Sequence, residues 1–416
     1  MACGVDVEEN SAMSRGQMRL SATLLTSSLI GRLPQAMSSL ALLRIVLDAG
    51  GDYAFAGTLT AVYIVSGTIG APLLSRIIDR TGRPRPVLLI AATAASVAFG
   101  GLALAAPGMP AVAVACALIA GAGAPPIEPV LRSLWPRIMR PGRQLVQAFS
   151  ADAAVQELIF VLGPLASAIS IAVFGAPAAV VVMGLAGLVG TVLLCLHGVL
   201  APTTPVPVPS GRRRSPLRLP ATRTLVLAQV AAGMPVGILA ITATAHAASA
   251  GQESLSGWGL ALNAAGAFLG AVYVARRPFR TAPERLVRPA LLLLAVLYVP
   301  TAFVQTPPAY WLTASFVSGI CLSPYLTLVF TVAERTTPPA LSTEVNAWVV
   351  SAFNVGIGGG TYLAGLLTEQ WQVTGTAAAV IGASVLAAAG AVAARPVLLR
   401  RTVEPRPVRE MATAQL

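Results

Sequence analysis

Twelve apolar stretches of bilayer-crossing length, separated by short polar gaps, leave this chain little choice of fold. They lie near residues 20–46, 55–75, 87–106, 109–134, 150–174 and 177–199, then 222–247, 256–275, 288–305, 309–332, 343–367 and 374–396. A hydrocarbon core takes roughly 20 apolar residues per crossing. Backbone groups left unpaired in lipid cost several kcal/mol, so each crossing must be a helix. The composition agrees: 56% of the 416 residues are hydrophobic and 11% are charged, against about 25% charged in soluble domains. The sequence therefore predicts an all-α integral membrane protein with twelve transmembrane helices.

The net charge of +12 is carried by arginine alone, since the chain contains no lysine. With the heavy use of Ala, Gly, Pro and Val, this points to the codon bias of a GC-rich genome and to a bacterial plasma membrane. The basic residues do not form a nucleic-acid surface; they cluster in alternate gaps between apolar runs. Arg76, Arg80, Arg83 and Arg85 follow the second run, and Arg137, Arg140 and Arg143 follow the fourth. Arg212, Arg213, Arg214 and Arg218 follow the sixth, and Arg276, Arg277, Arg280 and Arg285 the eighth. The opposite gaps hold almost no base, and 47–54 carries Asp48 and Asp52 instead. By the positive-inside rule both termini are cytoplasmic. Asp6, Glu8 and Glu9 make the N-terminus unlike a cleaved signal peptide.

The Pro-rich gap at 201–221 divides the crossings six and six. The expected organisation is a cytoplasmic tail (1–19), an N-terminal six-helix half (20–200), a solvated linker (201–221), a C-terminal half (222–397) and a second cytoplasmic tail (398–416). The halves echo each other. Gly121 and Pro125–Pro126 correspond to Gly319 and Pro324, and Phe160 and Gly163 correspond to Phe353 and Gly356. An even number of crossings per half makes this a parallel pseudo-repeat about an axis along the membrane normal.

Six plus six crossings, a basic central linker and the gap Ser75-Arg76-Ile77-Ile78-Asp79-Arg80-Thr81-Gly82-Arg83-Pro84 together resemble the major facilitator superfamily. That family's loop signature is Gly-x-x-x-Asp-Arg-x-Gly-Arg-Arg. Asp79, Arg80, Gly82 and Arg83 match it, whereas Ser75 replaces the leading Gly and the last Arg is displaced to Arg85. Locally, 31–37, 124–138, 155–164 and the Glu344–Trp348 region resemble actinobacterial members commonly grouped with drug or sugar efflux permeases. Of the span-5 antiporter motif Gly-x-x-x-Gly-Pro-x-x-Gly-Gly, only Gly163-Pro164 is kept. The resemblance implies a gate in which Asp79, Arg80, Gly82 and Arg83 work with an acid on span 4, here Glu128 beside Arg132. A local Glu128–Arg132 pair is the other reading, because residues one turn apart share a helix face.

Buried charges mark the candidate site. Arg32 falls near mid-membrane, where an unpaired Arg costs at least ~2.5–3.5 kcal/mol. It is either a substrate or coupling-acid contact or half of a structural ion pair. Glu157 is a candidate proton carrier, because an acid in a low-dielectric interior can load and release a proton; the alternative is a packing contact between helices. Asp152 is expected to be solvated near the cytoplasmic interface, and Glu344 to stabilise the start of span 11 through the helix dipole. Gln35, Gln229, Asn263, Tyr325, Asn346 and Asn354 are polar at depth, and Gln35, Asn263 and Asn354 are taken as cavity-lining candidates. His197 and His246 are expected to be incidental, and Trp258, Trp311 and Trp371 to anchor at the interfaces.

The scattered cysteines and two histidines form no metal-ligand pattern. No GxxxxGK[ST] phosphate loop or catalytic triad occurs, so neither an enzyme nor a cofactor is expected. The sequence thus points to a monomeric secondary transporter with a small-molecule substrate, working by alternating access, most simply proton-coupled efflux of a drug, antibiotic or sugar-like metabolite. An uptake permease of the same fold, or a transport-inactive scaffold or sensor, would carry the same architecture.

Overall fold

Proline and glycine, rather than the ends of the apolar runs, set where most of the helices start and stop. The computed structural model describes residues 15–105, 108–201, 215–252, 254–277, 279 and 281–393. Among the described residues, thirteen α-helices follow one another: α1 (Arg15–Leu47), α2 (Tyr53–Thr81), α3 (Pro84–Ala105), α4 (Pro110–Ala122), α5 (Ile127–Ile138), α6 (Arg143–Phe174), α7 (Ala176–Leu196), α8 (Pro220–Ser249), α9 (Ser254–Arg276), α10 (Pro283–Tyr298), α11 (Pro308–Ile320), α12 (Leu322–Thr336) and α13 (Ser342–Ala393). Pro84, Pro110, Pro220, Pro283 and Pro308 each open a helix, a position where the missing N–H costs nothing. Eleven segments among the described residues are long and apolar enough to cross a membrane.

The helices differ from the apolar runs in three instructive places. The basic gap at 74–86 is mostly helix, since α2 continues through Thr81. Hydropathy marks where lipid ends, and Ile77–Thr81 contains no helix breaker. Gly82 stops the helix instead, at φ 62° with its N–H bonded to the Ile78 carbonyl. The fourth crossing is broken into α4 and α5 around Pro125–Pro126, and the tenth into α11 and α12 just before Pro324. The eleventh and twelfth runs are not separated: α13 is one helix of 52 residues, about 78 Å at 1.5 Å per residue. No glycine or proline lies between 368 and 373 to end it. At the linker, a 3-10 turn at Pro216–Arg218 precedes α8, and residues 202–214 lie outside the described part, as do the tails at 1–14 and 394–416.

Close helix contacts repeat between the two sets of helices. In lipid, small residues that let backbones approach hold helices together, because apolar burial drives little there. A Cβ on Gly121 of α4 would strike the Tyr63 carbonyl of α2, and one on Gly319 of α11 would strike the Asn263 carbonyl of α9. Gly163 of α6 rests on Ala36 of α1, while Gly356 of α13 rests on Val230 and Gly233 of α8.

The sets then meet across the middle, α6 against α9 and α13 against α2. Hydrogen bonds between them lie toward the Arg-rich face. Gln147 Nε2 donates to the Ala275 carbonyl at 3.0 Å, Thr343 Oγ1 to Ser133 Oγ at 3.2 Å, and Ser351 Oγ to the Thr68 carbonyl at 2.9 Å. One apolar core runs through both sets, from Leu24 and Trp135 to Tyr325 and Val349, while a second around Met37, Leu59 and Met183 belongs to α1–α7 alone.

Candidate functional site

Three helices of the first half bring four charges together inside the bundle. On α5, Glu128 and Arg132 are one turn apart and share a face. On α6, Asp152 and Gln156 have the same spacing, and α1 supplies Arg32. The Arg32 guanidinium meets Glu128 at 2.5 Å and Asp152 at 3.6 Å, and its Nη2 also donates to the Gln156 side-chain oxygen. Arg132 meets Glu128 and Asp152, each at 2.6 Å. All five side chains are buried.

Two guanidinium groups and two carboxylates cancel formally, which is how charges survive in a low-dielectric interior. Arg132 also reaches the second half: its guanidinium carbon sits 3.3 Å from the centre of the Phe330 ring on α12, a cation–π contact. Asp152, expected at a solvated interface, is fully buried. Two buried arginines require two acids, and Asp152 is the second.

A cavity opens beside this cluster, between the halves. Gln35, Glu128, Arg132, Gln156 and Phe160 line it from the first half; Gln229, Leu326, Phe330, Val350, Phe353 and Asn354 line it from the second. It holds about 20 Å³ of free space, room for a water molecule but no larger solute. Gln35 and Phe160 remain exposed at its rim.

The sequence candidates therefore separate. Arg32, Glu128 and Arg132 belong to one ion cluster, and Gln35 and Asn354 to the cavity wall. Asn263 is elsewhere: its amide donates to the Tyr298 hydroxyl, the Ser315 carbonyl and the Ser318 hydroxyl, tying α9 to α10 and α11. Glu157 is buried but faces away from the cluster, because adjacent helix residues are rotated by about 100°. Its carboxyl forms no hydrogen bond or ion pair among the described residues.

The gate residues are arranged differently from the family-derived expectation. Asp79 does not pair with Glu128. Its carboxylate accepts from the Glu344 N–H at 2.8 Å and the Thr343 N–H at 3.3 Å, at the first turn of α13. Those N–H groups have no partner within the helix, and the helix start carries partial positive charge. Glu344 is buried there, 3.9 Å from Arg76. Arg80 and Arg83 are exposed, and the Ser75 side chain is buried without a hydrogen bond among the described residues.

Two aromatic expectations also change. Trp311 is no interfacial anchor: it is fully buried, stacked 4.7 Å from His246, with its indole N–H on the Thr301 carbonyl. His246 is buried too, its Nδ1 2.7 Å from the Val304 carbonyl. Trp258 is exposed, and the side chain of Trp371 lies outside the described residues.

Comparison with known proteins adds the remaining findings. Residues 24–243 and 225–414 match the family model of the Major Facilitator Superfamily. No curated protein sequence matches the chain. Among solved structures, the human organic anion transporter MFSD10 (TETRAN) superposes with a TM-score of 0.70 at 16% identity, covering 92% of this chain and all (100%) of that one. A bacterial homologue of the iron transporter ferroportin, in an outward-facing state, gives a TM-score of 0.67 at 16% identity, with 90% and 100% covered. At such identities the likeness is one of fold.

Proposed function

The chain belongs to the major facilitator superfamily, and on that premise we propose that this membrane transporter exports a small organic molecule from a bacterial cell in exchange for protons. The charge-balanced cluster at the cavity between the halves carries this reading. A membrane protein bears the cost of burying Arg32, Glu128, Arg132 and Asp152 together where those charges serve a path for solute or ions.

With the Arg-rich gaps on the cytoplasmic side, the bonds from Asp79, Gln147, Ser133 and Thr68 close the protein inward. The state is then one with its inner gate shut. Transport requires those bonds to break and the halves to rock about the cavity, which exposes the solute to each side in turn.

Glu157 supplies the coupling in this scheme. A partnerless acid inside the membrane carries a proton across without carrying a net charge, and releases it when its surroundings become wet. Export is favoured over uptake by the retained Gly163-Pro164 pair of the antiporter motif and by the resemblance to efflux permeases.

The test is a resistance and accumulation screen in an efflux-deficient bacterial host, with and without an uncoupler. A proton-driven exporter lowers internal solute until the uncoupler is added. Raised internal solute would make the protein an uptake permease, and no change for any solute would make it a scaffold or sensor.

A further inference from the structure

The two halves do not offer the cavity the same chemistry. The register set by the close contacts, with Gly121 matching Gly319, Gly163 matching Gly356 and Ala36 matching Gly233, also aligns the cluster residues. Arg32 corresponds to Gln229, Glu128 to Leu326, Arg132 to Phe330, Asp152 to Val345 and Gln156 to Val349. Every ionic position of the cluster is thus neutral in the second half. The cavity has one ionic wall and one aliphatic and aromatic wall, on which Gln229 replaces the arginine.

Gln229 is the anomaly on that wall. It is fully buried at the cavity, and among the described residues neither its amide nitrogen nor its amide oxygen finds a partner. Buried amides are nearly always bonded, because an orphaned one forfeits its hydrogen bonds to water. The counterpart position, Arg32, instead has both its charge and its Nη2 engaged, by Glu128, Asp152 and Gln156. Gln229 therefore brings to the buried apolar wall a carboxamide whose donor and acceptor groups are both unspent.

We propose that the solute bound here is a neutral amphiphile with an amide-like donor–acceptor pair, and that Gln229 selects it. The inference rests on reading this cavity as the transport site. The solute's amide pairs with the Gln229 carboxamide, and its apolar body lies on Leu326, Phe330 and Phe353. The ionic wall repels neither end, but it does not recruit a charged solute, since each of its four charges already has a counter-ion. The ≈ 20 Å³ now free does not admit such a molecule, so it enters as the halves separate. The unpaired amide persists because a site built to hydrogen-bond its ligand discriminates strongly against analogues lacking the group.

The experiment compares saturable binding of matched amides and esters to the full-length protein in nanodiscs, with empty nanodiscs subtracted. The pairs are N-benzylacetamide with benzyl acetate, benzanilide with phenyl benzoate, and N-phenylbutanamide with phenyl butanoate. The wild type should hold at least one amide roughly tenfold more tightly than its ester. Gln229→Leu and Gln229→Met should bring that pair to parity while melting no lower than wild type. Three results would overturn the proposal: no amide preference in any pair, a preference that survives both substitutions, or a clear fall in melting temperature for both, which would place the amide in the fold's own bonding.

Transport of the same compounds into proteoliposomes is measured alongside. An amide preference without transport removes the export reading and leaves Gln229 as a determinant of binding alone. Transport without the preference does the reverse.

Discussion

The Asp79 carboxylate of α2 accepts the Glu344 backbone N–H of α13 at 2.8 Å, so an acid of the first half caps a helix of the second. The bond exists only while the Arg-rich ends are together, which makes it a strut for one conformation. Capping bonds of this kind stabilise by about 0.5–2 kcal/mol. Asp79→Ala, which removes the acceptor, should therefore raise the population open on the Arg-rich side by about 2- to 30-fold. Spin labels at the Arg-rich ends of α2 and α13 report it as a new, longer distance. An unchanged distance distribution would remove Asp79 from the gate.

The Arg32–Asp152 contact spans 3.6 Å inside a cluster whose charges cancel. Removing one member leaves a buried charge uncompensated, at a cost of about 3–5 kcal/mol. Arg32→Met and Asp152→Leu should each lower the thermal stability of the purified protein and its monodisperse yield. Together they leave the neutral Glu128–Arg132 pair, at 2.6 Å, intact, and most of the loss should be recovered. Additive losses in the double variant would show that packing, not charge balance, sets the cost.

The fold was legible from the sequence because lipid allows so few alternatives. Apolar runs, alternating arginines and the echo between Gly121 and Gly319 lead to the architecture with little help. The site was less legible, because pairing depends on helix rotation and on three helices distant in sequence. Arg32 stood out by its depth, but nothing local tied it to Asp152 on α6. That Gln156 faces the cluster while Glu157 does not follows from one step of helix rotation, which can be read only once the partner face is known. Gln229 looked like any buried amide until its lack of a partner was visible. The break between the last two runs was expected from a dip in hydropathy, and α13 crosses that dip because Thr368–Val373 holds nothing that stops a helix.

The Gly356–Gly360 run on α13 contains glycines of two kinds. A Cβ on Gly356 would strike the Val230 carbonyl, and one on Gly360 the Met234 carbonyl, both on α8. Gly358 and Gly359 have open space beside them. Gly356→Ala and Gly360→Ala should each cost about 1–3 kcal/mol by forcing α8 and α13 apart. Gly358→Ala should be neutral or stabilise by up to about 1 kcal/mol, because it removes backbone freedom from the unfolded chain. Melting temperatures of the three variants decide this, and equal shifts would mean that the close approach carries no energy.

Glu157 lies one residue from Gln156, which bonds Arg32, yet its carboxyl meets no counter-charge among the described residues. A structural acid at such depth would be expected to hold a partner. A proton carrier must instead be free to change state without pulling a neighbour with it. Glu157→Gln mimics the protonated form, so it should fold as well as wild type and still exchange solute for solute across a vesicle membrane. It should lose, by at least tenfold, transport driven by an imposed pH gradient, using a solute to which the wild type confers resistance. Glu157→Asp keeps an ionisable group and should retain part of that activity. If Glu157→Gln responds to the gradient as wild type does, the proton is carried by another group, and the acids of the Arg32 cluster become the next to examine.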